Sequence, residues 1–220
     1  YNITSLDDFK RDEVKKAFDR NGDGKADLVA CPDGWGCAKI ISHHMKAYDL
    51  KEHINLLKSD YTANMKKTLQ RYKNGEPILF YTWTPHWTVG KLRPGRDVLW
   101  INVPEINPAS SQKGLGDAMV AKSLKGAVTS PIKLGYAVND IRVAANDEFL
   151  NNNPAAKQFF KLMEVPLEDI ARQNEKMFEG EDSQEDIERH AREWIENNRD
   201  FWEQCLEKAR SNLGDLWSSR

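Results

Sequence analysis

No single sign of charge dominates this sequence: 32 basic residues face 34 acidic ones in 220, for a net charge of −2. Without a field of one sign, nucleic acid and acidic membrane surfaces are not expected partners. Long apolar runs are missing too. Mean hydropathy is −0.71, and the longest apolar stretches, such as residues 78–81, fall far short of the ~20 residues a membrane-spanning helix needs. No His-Glu-x-x-His, Gly-x-Ser-x-Gly or phosphate-binding P-loop occurs, so the commonest signatures of metalloprotease, hydrolase and nucleotide chemistry are lacking. No enzyme activity and no cofactor are expected. The first residues, Tyr-Asn-Ile-Thr-Ser-Leu, include neither an initiator Met nor the basic and apolar regions of a signal sequence, and the chain is expected to be processed or cut from something longer.

What is present is enough to build a core. Seven Trp, eight Phe and six Tyr exclude general disorder, and the length suits one large domain or two small ones. Apolar runs at 27–31, 53–57, 77–82 and 98–103 read as strands, and helical spacing predicts helices over 38–50 and 61–73, the second stopped by Asn74-Gly75. Strands separated by helices of this length argue for an α/β layer on a largely parallel sheet. The character changes near Pro104. Residues 105–130 are polar and Gly-rich, a linker or crossover, and 132–138 and 141–145 are strand-like. From Pro154 the pattern is almost wholly helical, ending in a helix over 183–212, so this part resembles a partial layer that needs a sheet from elsewhere. The expected domains are 1–103 and 104–220.

The first candidate site is Cys31-Pro-Asp-Gly-Trp35-Gly36-Cys37, between a strand and a helix. Backbone N–H groups of Gly36 and Cys37 at a helix N-terminus suit an anion, because the unpaired donors and the dipole's positive end coincide. Cys31 and Cys37, six apart, read as a disulfide pair, with Cys205 left over in a helix. Such a bridge belongs outside the cytosol, contributes about 2 kcal/mol in the chain-entropy model, and would hold the Trp35 ring. The bland alternative is a structural disulfide beside an ordinary buried Trp. In the second candidate, Tyr81-Thr-Trp83-Thr-Pro-His86-Trp87, a strand delivers Trp83 to its carboxyl edge. Ligands of open α/β sheets bind at that edge, so Trp35 and Trp83 are expected to meet there. Two indoles suggest a cage for a quaternary ammonium, which has no N–H to donate but is attracted to π faces by roughly 0.5–2 kcal/mol per ring. Trp87 fits the core better.

A third candidate, Asp19-Arg-Asn21-Gly-Asp23-Gly24-Lys-Ala-Asp27, spaces oxygen ligands as a calcium loop does, but position twelve is Ala30 where a bidentate Glu is wanted. It reads either as a weak ion site organising an interaction module or as a rigid Asx-turn loop. His43 and His44 diverge on their helix and cannot share a metal. His86 lacks an acid/base partner, and the acidic run 179–188 reads as a solvated helix start.

Together, Asn21-Gly-Asp-Gly-Lys-Ala-Asp-Leu28, Gly34-Trp-Gly-Cys37, Tyr81-Thr-Trp-Thr-Pro85 and Lys91-Leu-Arg-Pro-Gly-Arg-Asp-Val98, with the later Asn153-Pro-Ala-Ala156 and Gln173-Asn174, resemble the substrate-binding proteins of glycine betaine/proline betaine ABC transporters, of the type II periplasmic binding-protein class. The resemblance implies two α/β lobes that close on the ligand. It makes Trp35 and Trp83 two cage walls for the trimethylammonium, Gly36 and Cys37 donors to the carboxylate, and Cys31–Cys37 a disulfide. It further implies a periplasmic or extracytoplasmic location, a permease partner and a role in osmoprotection. A choline-type sensor is the alternative within the same fold. The family's Asn-Trp-Thr-Pro segment, with a third Trp and a nearby His, has no counterpart here. The chain therefore resembles the family's C-terminal two thirds: a second lobe nearly complete over 1–103, then a crossover and the C-terminal half of the first lobe.

Overall fold

The first turn of the chain is set by a reciprocal cap. The Asp8 carboxylate accepts from the backbone of Thr4 and Ser5 at 2.8 and 3.0 Å, while the Ser5 hydroxyl accepts from Asp7, closing a 3-10 turn over Leu6–Lys10. Helix α1 (Asp12–Phe18) follows and buries Val14 and Phe18. Strand β1 (Ala26–Val29) is buried at all four positions. It pairs in parallel with β2 (Ile54–Leu57), in the register Ala26↔Ile54 to Val29↔Leu57. The crossover between them is helix α2 (Gly36–Ala47), which turns Ala38, Ile40, Ile41 and Met45 inward. Helix α3 (Tyr61–Lys73) starts where the Asp60 carboxylate accepts from Ala63 N at 2.8 Å, and it ends at Asn74-Gly75 as its sequence predicts.

The structure, a computed structural model, describes residues 1–217, with side chains as far as 211. It divides into two compact units, one of Tyr1–Trp83 with Thr88–Asn139 and one of Thr84–Trp87 with the chain from Asp140. The core of the first unit gathers Phe9, Val14, Leu28, Ile41, Met45, Leu50 and Ile54.

Two expected strands are extended segments instead. Residues 77–82 lie parallel to β1 on the edge away from β2, but the ladder is one residue long: Val29 N donates to Leu79 O (3.1 Å) and Tyr81 N donates to Val29 O (2.8 Å). Residues 98–103 make only isolated bridges, Val98 with Pro94, Trp100 with Ala127 and Asn102 with Ser5. Each has neighbours for single bridges and not for a continuous ladder. After the short helix α4 (Trp87–Lys91), residues 104–139 pack with the first unit. They form 3-10 turns and a small antiparallel pair, β3 (Val120–Ala121) with β4 (Ile132–Lys133), all that is regular in the expected strand 132–138.

The second unit has no strand among its described residues. Residues 141–145, expected as a strand, are exposed coil leading to α5 (Asp147–Asn152), with α6 (Pro154–Leu162) and α7 (Leu167–Phe178) beyond. The single helix expected over 183–212 is two, α8 (Gln184–Asn197) and α9 (Arg199–Trp217). They are separated at Asn198, whose side chain donates to Trp194 O at 2.8 Å. Cys205 is the buried free cysteine of α9, and Trp87 is buried and stacked on Phe178, centroids 3.8 Å apart. The acidic run holds the α8 cap, where Ser183 accepts from Asp186 N. No helix among the described residues is long and apolar enough to cross a membrane.

Candidate functional site

β1, β2 and the segment at 79–81 run the same way, so the loops that leave them emerge at one edge. Each carries an aromatic residue: Trp35 after β1, Tyr61 after β2 and Trp83 after 79–81. The three rings meet. Trp35 and Trp83 lie 5.9 Å apart with planes at 75°, and Tyr61 lies 6.0 Å from Trp35 and 5.7 Å from Trp83. The two near-perpendicular indoles, in edge-to-face contact, form an aromatic corner, and Trp35 is still 44% exposed.

Tyr61 holds this corner from behind. It is buried, its hydroxyl donates to Tyr81 O at 2.7 Å, and burial pushes its pKa up to about 12, so it is a neutral phenol at any physiological pH. Tyr81 extends the row, 6.0 Å from Trp83 and 5.2 Å from Tyr136. Sequence reasoning placed Tyr61 only as the first residue of a helix. The signal was available, because the rule that sends Trp35 and Trp83 to the carboxyl edge applies equally to the loop after β2.

The Cys31–Cys37 disulfide is formed, with Cα atoms 6.0 Å apart. It ties the end of β1 to the first turn of α2. Trp35 is the N-cap of that helix and provides no side-chain acceptor, so the amides of Gly36 and Cys37 begin the helix without a side-chain cap beside the indole corner. An indole corner next to such amides can receive a cation with no N–H on one side and an anion on the other.

The acidic loop is a turn. Asp19 accepts backbone N–H bonds from Asn21, Gly22 and Gly24 at 3.1, 2.7 and 2.9 Å, and these bonds, that from Gly24 foremost, hold its carboxyl below the usual range. Asp27 accepts from Arg20 N at 2.7 Å and from the Asn55 amide at 2.8 Å. The carboxylates are already satisfied by the chain, and among the described residues no group of three His, Cys, Asp or Glu is placed to hold a metal ion. These bonds shape the loop as an Asx turn.

His44 is buried in the first unit, stacked on Tyr48 at 5.4 Å and edge-on to Tyr136 at 5.4 Å. Gly135, at φ +68°, lets the chain pass it: a β-carbon there would lie 2.6 Å from Val103 Cγ1 and 2.9 Å from His44 Cε1. Burial, aided by His43, pushes the His44 pKa down to about 4. His86 packs on Trp87 at 5.3 Å.

Residues 1–197 match the family described as the substrate binding domain of ABC-type glycine betaine transport system (OpuAC). The chain is 42% identical over 211 residues to the glycine betaine-binding periplasmic protein OusX of Dickeya dadantii, a match covering 96% of this chain and 61% of that protein. It is 37% identical over 209 residues to the glycine betaine/proline betaine-binding periplasmic protein of Salmonella typhimurium, covering 95% and 60%. Its identity to the Escherichia coli protein of the same description is 36%, over the same shares. The chain thus spans about three fifths of the length of the curated relatives it matches.

Proposed function

The chain belongs to the family of substrate-binding domains of ABC-type glycine betaine transport systems, and on that premise we propose that it is the extracytoplasmic binding component of such a transporter, or a piece of one. Its ligand is glycine betaine or a related quaternary ammonium solute, passed on to a permease in osmoprotection, with no chemical step. Trp35 and Trp83 are the walls for the methylated nitrogen, and Gly36 and Cys37 donate their amides to the carboxylate. The observation that carries this reading is the indole corner, planes at 75°, at the start of a helix with no side-chain cap. Periplasmic relatives and the Cys31–Cys37 bridge support a location outside the cytosol, where disulfides persist.

In this reading residues 1–103 supply the family's second lobe. The remainder supplies the crossover and the C-terminal part of the first lobe, whose other half lies outside this sequence. Two ring walls without a third, and without a further donor to the carboxylate, leave the site short by about 2–5 kcal/mol. Affinity falls tenfold for each 1.4 kcal/mol of that shortfall. Calorimetric titration of the 220-residue chain with glycine betaine is therefore expected to give weak, near-threshold heats. Submicromolar binding would contradict the assignment of a half-built site.

A further inference from the structure

We propose that the ion pair Lys58–Asp33 is a selectivity element of the indole corner, favouring a zwitterion over a quaternary cation without an acid group, an assignment that rests on the betaine reading of that corner. Asp33 belongs to the loop that carries Trp35. Trp35 N donates to Pro32 O at 3.2 Å, so Asp33 and Gly34 are the central residues of a tight turn. Gly34 takes the positive φ there, +95°, at no steric cost. The Cys31–Cys37 bridge closes the same loop. Lys58 opens the loop that carries Tyr61. Ala30 N donates to Leu57 O at 3.1 Å, which sets the residue before Cys31 beside the residue before Lys58. Pairing at the root of both loops thus brings the two side chains together: Lys58 Nζ lies 3.0 Å from Asp33 Oδ1.

Asp33 is two residues from Trp35, which keeps its backbone within ~7 Å of the backbone of that wall, inside the Debye length of ~8 Å at physiological salt. An unpaired carboxylate there does two things. It attracts any cation that approaches the indoles, and as an anion just ahead of a helix start it competes with the ligand's acid group for the Gly36 and Cys37 amides. Lys58 opposes both effects. With the pair formed, the amides are left to the ligand's carboxylate and a bare cation gains no added attraction. The indoles attract the trimethylammonium heads of glycine betaine and choline alike, so the difference between the two ligands is set by charge at this rim. The Lys58 side chain is 32% exposed and that of Asp33 80%. An ion pair so open to water contributes little to folding, and its removal should leave the corner standing.

The test measures dissociation constants of glycine betaine and of choline for the full chain, from the indole Nε1–H shifts of Trp35 and Trp83, at ionic strength matched with sodium chloride. Lys58→Gln is expected to lower the betaine-to-choline affinity ratio by roughly threefold or more, weakening betaine and strengthening choline. Asp33→Asn should raise the same ratio by a similar factor. The double variant, in which neither charge is present, should return close to the wild-type ratio. In about 1 M sodium chloride, where the Debye length is ~3 Å, the differences should shrink. Melting transitions of all three variants should match that of the wild type. Single variants that change both ligands by the same factor, or leave the ratio unmoved, would overturn the proposal while betaine binding stands. No indole shift with either ligand in the wild-type chain would overturn the betaine reading and the proposal with it, so the two failures are seen separately.

Discussion

Trp83→Ala is expected to lower the affinity for glycine betaine by at least about tenfold, to the point where the weak binding of this chain is no longer measurable. Trp83 is one of two walls, 5.9 Å from Trp35 and nearly perpendicular to it. Its removal takes away a π face and also the edge that steadies the Trp35 ring. A cation over an indole gains about 2 kcal/mol when desolvated and less when wet, so the loss is large on the scale of a half-built site. Trp83→Phe should keep part of the affinity, because a smaller π face is still present. The informative control is 3,3-dimethylbutanoate, which has the shape of glycine betaine with carbon in place of the charged nitrogen. If the walls act through cation–π attraction, wild type binds this analogue more weakly than betaine, and Trp83→Ala costs it less. Equal losses for both ligands in a fluorescence titration would mean that the ring acts by apolar packing alone.

Acid is expected to destabilise the first unit well before its carboxylates titrate. His44 has a folded pKa of about 4 against about 6.5 for an unfolded histidine. Between those values the unfolded chain binds a proton that the folded chain refuses, so stability rises with pH across this window. The contribution is complete above pH ~6.5, is lost as pH falls toward 4, and levels off below, amounting to about 3 kcal/mol as an upper figure. His86, also pushed down to about 4 by burial, acts in the same direction in the second unit. Asp8 and Asp19, whose carboxyls are held low in the fold, weaken only below the usual carboxylate range. His44→Phe keeps a ring against Tyr48 and Tyr136 and removes the proton. Denaturant melts at pH 7 and 4.5 should show a clearly smaller acid loss in the variant. The same pH slope in both proteins would contradict the buried neutral imidazole.

How much of this was legible in the sequence follows from where the stabilising bonds lie. Helix α3 is found to the residue, because its signals are local: a carboxylate at Asp60 that caps Ala63 and a stop at Asn74-Gly75. Helix α2 begins two residues before the expected start, at Gly36, since Trp35 gives no capping signal. Strands depend on neighbours that sequence does not name. Residues 27–31 and 53–57 were recognisable because each found the other. Residues 77–82, with equal apolar character, found one bridge to Val29, and 141–145 found none among the described residues. At the site, glycines, cysteines and indoles in fixed order pointed to Trp35, Gly36, Cys37 and Trp83. The ring of Tyr61 was missed because a tyrosine at the head of a helix reads as packing until three parallel segments are seen to end together. In the acidic loop, spacing that suits an ion also serves backbone amides bonding to Asp19.

The most direct measurement is a nitrogen–proton correlation titration of the chain with glycine betaine and, separately, with choline. Glycine betaine should move the indole Nε1–H signals of Trp35 and Trp83 together with the amides of Gly36 and Cys37. Choline, which lacks the carboxylate, should move the two indoles and leave the amides in place. Shifts confined to other parts of the chain, or identical amide shifts with both ligands, would contradict an aromatic corner that takes the cation beside a helix start that takes the acid.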